Sequence, residues 1–452
     1  MGLSRVFVAN RGEIALRIIR ACHDLGIEAV LAVSEADRES RPAREADRAL
    51  CIGPPQAMDS YLKVETIITA ALGSHADAIH PGYGFLAEQP ELVDACAEHD
   101  LIFIGPKADH IRTMGDKLLA REMVGTLGIP VIPGSEMVAT GDEARKAAQK
   151  LGFPVLLKAA AGGGGKGIKT VNGADDLTDV FDEAAGEARA AFGDDRIFIE
   201  RYIPNARHIE VQIMGDSQGA VVHFFERDCS LQRRYQKMLE EAPSPVMTEA
   251  LREEICDAAV RIARHIGYEN AGTVEFVFDQ RERRFYFLEM NTRIQVEHPI
   301  TEMITGVDLV KEQISVAAGN PLAMAQDDIT MSGHAIECRI NAESPRRAFH
   351  PSPGRIDRWE APAGEGIRVD SHCYSGYVVS PYYDSLLAKL VSWGTDRSDA
   401  ITKMRHALEH FIISGIDTTI PFHHYILHNR EYLAGDINTR WIEDTLLREY
   451  GQ

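Results

Sequence analysis

The sequence has no C-x-x-C pair. Its seven cysteines, Cys22, Cys51, Cys96, Cys229, Cys256, Cys338 and Cys373, are odd in number and widely scattered, which argues against a disulfide framework and against a thiolate zinc site. No stretch approaches the roughly 18 consecutive apolar residues of a membrane span. The start, MGLSRVFVANRGE, meets Arg5 and Arg11 too early for the apolar core of a signal peptide, and Val6 stands where N-myristoylation needs Ser or Thr. These absences predict a soluble, cytoplasmic protein without membrane attachment. Positive charge is also scarce: 48 Lys+Arg face 68 Asp+Glu, for a net charge of −20. Such a surface repels a phosphate backbone, so nucleic-acid binding is not expected, although a pocket can still gather basic side chains around an anionic small substrate. The fingerprint G-x-G-x-x-G is missing after the first predicted strand, which leaves hydride transfer unsupported.

What is present is an ordinary globular composition, 45% hydrophobic and 26% charged over 452 residues. At about 150 residues per domain this length suggests three units. The first hundred residues alternate strands (5–9, 28–33, 101–104) with helical patterns such as 13–22, where Ile14, Ile18 and Cys22 form one stripe. That alternation predicts a parallel α/β sheet. A Gly/Pro-rich loop, HPGYGFLAE (80–88), lies between them. Residues 115–128 read as one helix, 131–203 as a small lobe holding the densest glycine cluster, and 251–266 and 398–411 as amphipathic helices. Short strands (AIECRI, IRVD) mark a β-rich texture past about 333.

Several segments carry chemistry. GGGGKG (162–167) follows the strand PVLLKAA (154–160), which contains a lone Lys158. The run is not a Walker loop, because position 160 is Ala and Gly167 follows the lysine. Consecutive glycines can still turn backbone N–H groups onto an anion, with Lys166 as a cation, although a flexible hairpin tip has the same composition. Lys158 suits a phosphate ligand or an edge residue that snorkels to solvent. In LEMNTRIQVE (288–297), Glu289, Asn291, Arg293, Gln295 and Glu297 alternate with Leu288, Met290, Thr292, Ile294 and Val296. An extended chain sends these sets to opposite faces. The strand TVEFVF (273–278) has Glu275 as its only charge, and a hairpin symmetric about residue 282 sets Glu275 opposite Glu289. Facing carboxylates are destabilising unless a cation bridges them, and hard oxygen donors with Asn291 nearby suit Mg²⁺. ERDCSLQRRYQK (226–237) concentrates Arg227, Arg233, Arg234 and Lys237, which fits an anionic substrate or a salt-bridged surface helix.

ANRGEIALRI, HPGYGFLAE, the Gly-Lys loop, RHIEVQ, ERDCSLQRR, EMNTRIQVEHPITEMITGVDLV, ECRINAE, PSPG and SPYYDSLLAKL together resemble biotin carboxylase, of the ATP-grasp superfamily, from about residue 5 to about 440. The resemblance implies an α/β chain, α+β in its C-terminal part. It would hold a Rossmann-like N-terminal domain (1–114), an ATP-grasp domain (115–333, lid about 131–203) and a C-terminal β-rich domain (334–446). It also implies that Lys117, Lys158, Gly163, Gly164, Gly165, Lys166, Gly167, Glu200, Arg201, Ile203, His208 and Gln232 bind ATP, and that Glu275, Glu289 and Asn291 bind Mg²⁺ or Mn²⁺. Lys237, Arg293, Gln295, Val296, Arg339 and Tyr83 would hold bicarbonate and biotin. Glu297 would be the base, and Arg339 would face the biotin ureido oxygen, with Lys237 and Arg293 also in the catalytic set. The chain departs from the family at Tyr235, where His is usual, and 279–284 is slightly longer than usual.

No biotinylation motif of a Lys flanked by Met stands in a carrier-like segment; QKM (236–238) and TKM (402–404) lie inside other elements. The resemblance therefore implies biotin on a separate carrier protein, a separate carboxyltransferase and a homodimer. The expected owner is an acetyl-CoA carboxylase of fatty acid biosynthesis, with an acyl-CoA or pyruvate carboxylase as the alternative. An ATP-grasp carboxylate–amine ligase shares the lid and metal carboxylates but has no use for RIQVEHP or Arg339. A silent scaffold would have lost Glu275, Glu289, Glu297 or Arg339.

Overall fold

The computed structural model of the chain describes residues 2–160 and 167–450. The N-terminal part holds a five-stranded sheet. Arg5–Val8 pairs in parallel with Glu28–Val33 on one side and Ala78–His80 on the other; Arg48–Cys51 and Ile102–Phe103 complete the two edges. The helix Gly12–Asp24 buries the predicted stripe, Ile14, Ile18 and Cys22.

The expected helix at 115–128 is two helices, Ala108–Gly115 and Lys117–Thr126. Asp116 separates them: its backbone is extended, and Oδ1 accepts from the N–H groups of Leu118 and Leu119 at 3.0 and 3.1 Å. An Asp side chain that can satisfy these donors competes with helix continuation.

The small lobe is a four-stranded antiparallel sheet in the order Gly134–Val138, Ile197–Arg201, Val155–Ala159, Ile168–Val171. Helices Gly141–Leu151 and Leu177–Phe192 pack on it around a core of its own that includes Val155, Leu157, Ile197 and Ile199.

A single antiparallel sheet of eight strands runs through the rest of the molecule. Its order is Arg284–Asn291, Asn270–Asp279, Ala206–Gly215, Val221–Arg233, Gln236–Ala242, His334–Asn341, Leu386–Gly394, Ile367–Ser371. The strands past residue 333 thus continue the central sheet across the pairing of Gln236–Ala242 with His334–Asn341. Helix Glu249–His265 covers one part of the sheet through Ile255, Ala259 and Ile262. Helices Arg397–His410 and Ile420–His428 cover another through Met404, Leu408, Phe422 and Ile426. Residues 226–237, whose composition also suits a surface helix, are instead strand and hairpin: Val221–Arg233 turns at Arg234-Tyr235, both with positive φ, into Gln236–Ala242.

Candidate active site

A cleft of about 1070 Å³ opens where the N-terminal sheet, the small lobe and the long sheet meet. The hairpin of Asn270–Asp279 and Arg284–Asn291 supplies one wall. Near its turn Asp279 pairs with Arg284, a register that would set Glu275 opposite Leu288. A bulge between Glu275 and Phe276 shifts the ladder by one residue and sets Glu275 opposite Glu289. The two carboxylates then part: Glu289 reaches Lys117 Nζ at 2.7 Å, whereas Glu275 reaches Lys237 Nζ at 2.9 Å and His208 Nε2 at 3.2 Å.

The strand reading of 288–297 holds only to Asn291. Residues beyond it turn, and Glu297 is the N-cap of helix His298–Thr305, whose first turn contains Pro299. Proline is favoured at that point because its missing N–H is unpaired there in any case. The functional set converges by this turn rather than by strand alternation. Arg293 donates from Nε to Glu88 at 2.9 Å, from Nη1 to Gln295 Oε1 at 3.1 Å and from Nη2 to Asn291 Oδ1 at 3.2 Å. Gln295 Nε2 donates to Glu275 at 3.4 Å.

Lys237 is the hub. Its ammonium sits 2.5 Å from Glu210, 2.9 Å from Glu275 and 2.7 Å from Glu297. Burial alone would lower the Lys237 pKa, but the three carboxylates outweigh it and raise it well above the ordinary value. Burial likewise opposes charge on Glu275, yet Lys237 and His208 hold its carboxyl at about 2, and His208 is in turn lifted to about 9. Glu297 is held below the ordinary carboxyl range: Lys237 and Arg339 outweigh burial and the neighbouring Glu210. Arg339 donates from Nε to Glu240 at 2.6 Å and from Nη2 to Glu297 at 2.9 Å. Glu240 stands across the sheet from Glu337, whose carboxylate is buried with no hydrogen-bond partner among the described residues. Burial raises both, Glu240 to about 7 and Glu337 well above the usual range.

Further residues border this centre. Lys158 pairs with Glu200 at 2.5 Å on adjacent strands of the small lobe. Gln232 donates to the Cys229 carbonyl at 2.8 Å. The Val296 carbonyl accepts from Lys389 Nζ at 3.0 Å, and that ammonium also pairs with Glu13, to which Tyr83 donates its hydroxyl. Lys117, Lys158, His208, Gln232, Val296 and Tyr83 all line the cleft. Gly167 begins the described chain again, with φ +76°, and its carbonyl accepts from Ala159 N–H at 3.0 Å. Gly163, Gly164, Gly165 and Lys166 lie outside the described residues.

Two expected nucleotide residues are not drawn into the cleft by their side chains. Arg201 binds Glu282 and the Tyr286 hydroxyl, and Ile203 packs on Ile132 and Tyr286. The basic cluster also divides. Arg227 is fully buried and spent on Glu210, Gln212, Thr273 and Thr301, Arg233 donates to the Ala348 carbonyl and Arg234 is exposed in the turn, so of the four only Lys237 reaches Glu275 and Glu297.

Glu210, Glu240 and Glu88 escaped the sequence reading, whereas Glu337 was legible as sharing a strand face with Arg339 and Asn341. The signal for Glu210 was available, because RHIEVQ alternates His208, Glu210 and Gln212 on one face of a strand. Glu88 carried no such signal, since its loop meets Arg293 only through tertiary packing.

The residues present suit a divalent cation of the hard class. Glu275, Glu289 and Asn291 offer carboxylate and amide oxygens from paired strands onto one cleft, which is the donor set that Mg²⁺ prefers.

Comparison with known proteins accounts for the arrangement. Residues 2–111 match the family described as biotin carboxylase, N-terminal domain, residues 116–325 the carbamoyl-phosphate synthase L chain, ATP binding domain, and residues 337–444 the biotin carboxylase C-terminal domain. The chain is 50% identical over 442 residues to Biotin carboxylase 1 of Bacillus subtilis, covering 98% of each. It is 51% identical over 442 residues to a pyruvate carboxylase subunit of Methanothermobacter thermautotrophicus, covering 98% of this chain and 90% of that one. Among solved structures, the biotin carboxylase domain dimer of Hydrogenobacter thermophilus 2-oxoglutarate carboxylase, in complex with MgADP, ADP and bicarbonate, superposes with a TM-score of 0.95 at 47% identity over 98% of both chains. The biotin carboxylase of Campylobacter jejuni, in a β-γ-ATP complex, gives 0.95 at 46% identity over 97% of this chain and 98% of that one. With its parallel N-terminal sheet, small antiparallel lobe and long antiparallel sheet closing on one charged cleft, the chain belongs to the biotin carboxylase family of ATP-grasp ligases.

Proposed function

We propose that this cleft couples ATP cleavage to carboxylation of biotin carried on a separate protein. The observation that carries the reading is the clamping of Glu297 between two cations, Lys237 at 2.7 Å and Arg339 at 2.9 Å, beside Arg293 and Gln295. On this reading Lys117, Lys158, Glu200, His208 and Gln232 hold ATP, joined by the glycine loop with Lys166 and by backbone groups of Arg201 and Ile203. Glu275, Glu289 and Asn291 hold Mg²⁺, which when bound would offset charge on the transferring phosphoryl group.

Glu297 takes the bicarbonate proton, and Lys237 and Arg293 stabilise the dianion that results. An oxygen of that dianion attacks the γ-phosphorus, ADP leaves, and carboxyphosphate forms. Its cleavage yields CO₂ and phosphate; the phosphate removes the ureido N–H proton, and that nitrogen bonds to CO₂. Arg339, a permanent cation with a fork of donors, suits the enolate-like ureido oxygen. The shared neutralisation of Glu297 by Lys237 and Arg339 supports one site serving both steps.

The division at 1–114, 115–333 and 334–446 is part of this reading, and its last boundary would be a functional one, because the long sheet crosses it. We further propose a homodimer, as in the H. thermophilus structure, acting in the cytoplasm with a biotin carboxyl carrier protein and an acetyl-CoA carboxyltransferase. A 2-oxo acid carboxylase is the second reading, favoured by the likeness to the pyruvate carboxylase subunit of M. thermautotrophicus and to the 2-oxoglutarate carboxylase domain. The final acceptor reacts at another active site, so no residue of this cleft encodes it. Phosphate release that depends on bicarbonate and rises with free biotin tests the half-reaction; release indifferent to both would refute it. Carboxylation of acetyl-CoA against pyruvate, with purified carrier and each carboxyltransferase, tests the acceptor.

A further inference from the structure

On the outer side of the C-terminal part, two helices bring a second set of ligands together. Helix Arg397–His410 presents His406, Glu409 and His410 to solvent, and their ligand atoms all lie within 4.8 Å of one another. Helix Ile420–His428 sets His424 beside Glu409, with Nε2 3.5 Å from Oε1. None of these residues lines the cleft.

Three features make the cluster more than a run of surface histidines. Positions four apart share a helix face, and the His406 and His410 rings stand 4.1 Å apart by centroid, so both can reach one ion. The His410 ring is also oriented: its Nδ1 lies 2.8 Å from the His406 carbonyl, which makes Nδ1 the protonated donor and leaves the Nε2 lone pair for a metal. Finally, the helices are fixed to each other. Met404, Ala407 and Leu408 share a core with Phe422, Ile426 and Leu427, and Arg405 Nε donates to the Leu427 carbonyl at 3.1 Å. The ligands therefore start from a settled backbone, and little ordering is left for binding to accomplish.

We propose that His406, Glu409, His410 and His424 form a binding site for a borderline divalent transition ion of the zinc class. Imidazoles with one carboxylate suit zinc, copper or nickel in four-coordinate geometry and do not suit Mg²⁺, which prefers oxygen donors and retains its waters. The site is separate from the metal used in ATP cleavage. It ties together two helices, one of which carries His423, whose ring nitrogen lies 2.7 Å from the Arg339 carbonyl.

The test uses the untagged full-length chain stripped of metal. Titration with Zn²⁺ in millimolar Mg²⁺ is expected to show one equivalent per chain at micromolar affinity or tighter, with a rise in unfolding temperature. Co²⁺ in place of Zn²⁺ is expected to give the visible bands of tetrahedral nitrogen and oxygen ligation. The paired substitution His406→Asn and His410→Asn should abolish this binding and the thermal shift while leaving ATP cleavage unchanged. His424→Asn should weaken binding by about tenfold. Absence of Zn²⁺ binding would overturn the proposal, and so would binding that survives the paired substitution.

Discussion

Glu297 and Arg339 come from parts of the chain 42 residues apart and meet at 2.9 Å through Arg339 Nη2, while the other oxygen of Glu297 lies 2.7 Å from Lys237. A carboxylate that shares its two oxygens between two cations is kept ionised although it is fully buried. It is therefore ready to accept a proton only when a substrate displaces one of those partners. Glu297→Gln preserves shape and removes this capacity. Bicarbonate-dependent phosphate release should fall by about 10²–10⁴-fold, the range for loss of a general base. ATP affinity by calorimetry should change little; a large loss of ATP binding would make the residue structural.

Arg339→Ala separates the two steps. Bicarbonate-dependent ATP cleavage without biotin should persist, and biotin carboxylation should drop by about 100-fold or more. The buried neighbour left behind is tolerable, because Glu240 already has its carboxyl raised to about 7 by burial and can take up a proton in place of the lost guanidinium. Equal loss of both activities would detach Arg339 from the biotin step.

Glu337 gives a pH signature in stability. Its carboxyl is raised well above the ordinary value, by burial first and then by Glu240, despite the opposing charge of Lys389. A group whose folded pKa is raised contributes stability that is complete below its unfolded pKa and is lost as pH rises through the folded one. The native protein should therefore weaken as pH rises above the ordinary glutamate range. Glu337→Gln should gain roughly 1–3 kcal/mol over the native chain at about pH 8, a difference that shrinks toward about pH 6. Urea unfolding midpoints of the two proteins at both pH values measure it. A constant difference across pH would show that Glu337 is ionised in the fold.

Lys158 and Glu200 pair at 2.5 Å with both side chains nearly buried. Lys158→Met leaves a buried carboxylate uncompensated and should destabilise the small lobe by about 3–5 kcal/mol. Adding Glu200→Gln should restore most of that stability, because the uncompensated charge is then gone. ATP affinity should stay low in both variants if Lys158 also holds phosphate. Thermal unfolding and nucleotide binding of the two variants check both statements.

Local chemistry fixed much of this. The stripe of Ile14, Ile18 and Cys22, the lone Glu275 in an apolar strand and the run RIQVEHP were legible because periodicity and an out-of-place charge are properties of neighbouring residues. The facing of Glu275 and Glu289 was legible too, but it holds through a bulge that the pattern did not disclose. Extended alternation past Asn291 was the wrong geometry, although Arg293, Gln295 and Glu297 still reach one centre. The chain turns there because a helix begins at His298, and that helix is held by packing from distant strands, with Ile300 and Ile304 against Ala242, Ala335 and Val391. The sequence by itself determined most element types, though not the break at Asp116 or the turn after Asn291, together with the carboxylates that offer a hard-cation donor set and the family. Only the tertiary structure decided which charges became partners. The triple pairing of Lys237 and the hold of Glu88 on Arg293 each join segments far apart in the chain, and sheet pairing leaves Glu337 facing Glu240 with no hydrogen-bond partner among the described residues. Ion pairing depends on distance and burial, and both exist only once the sheet has closed.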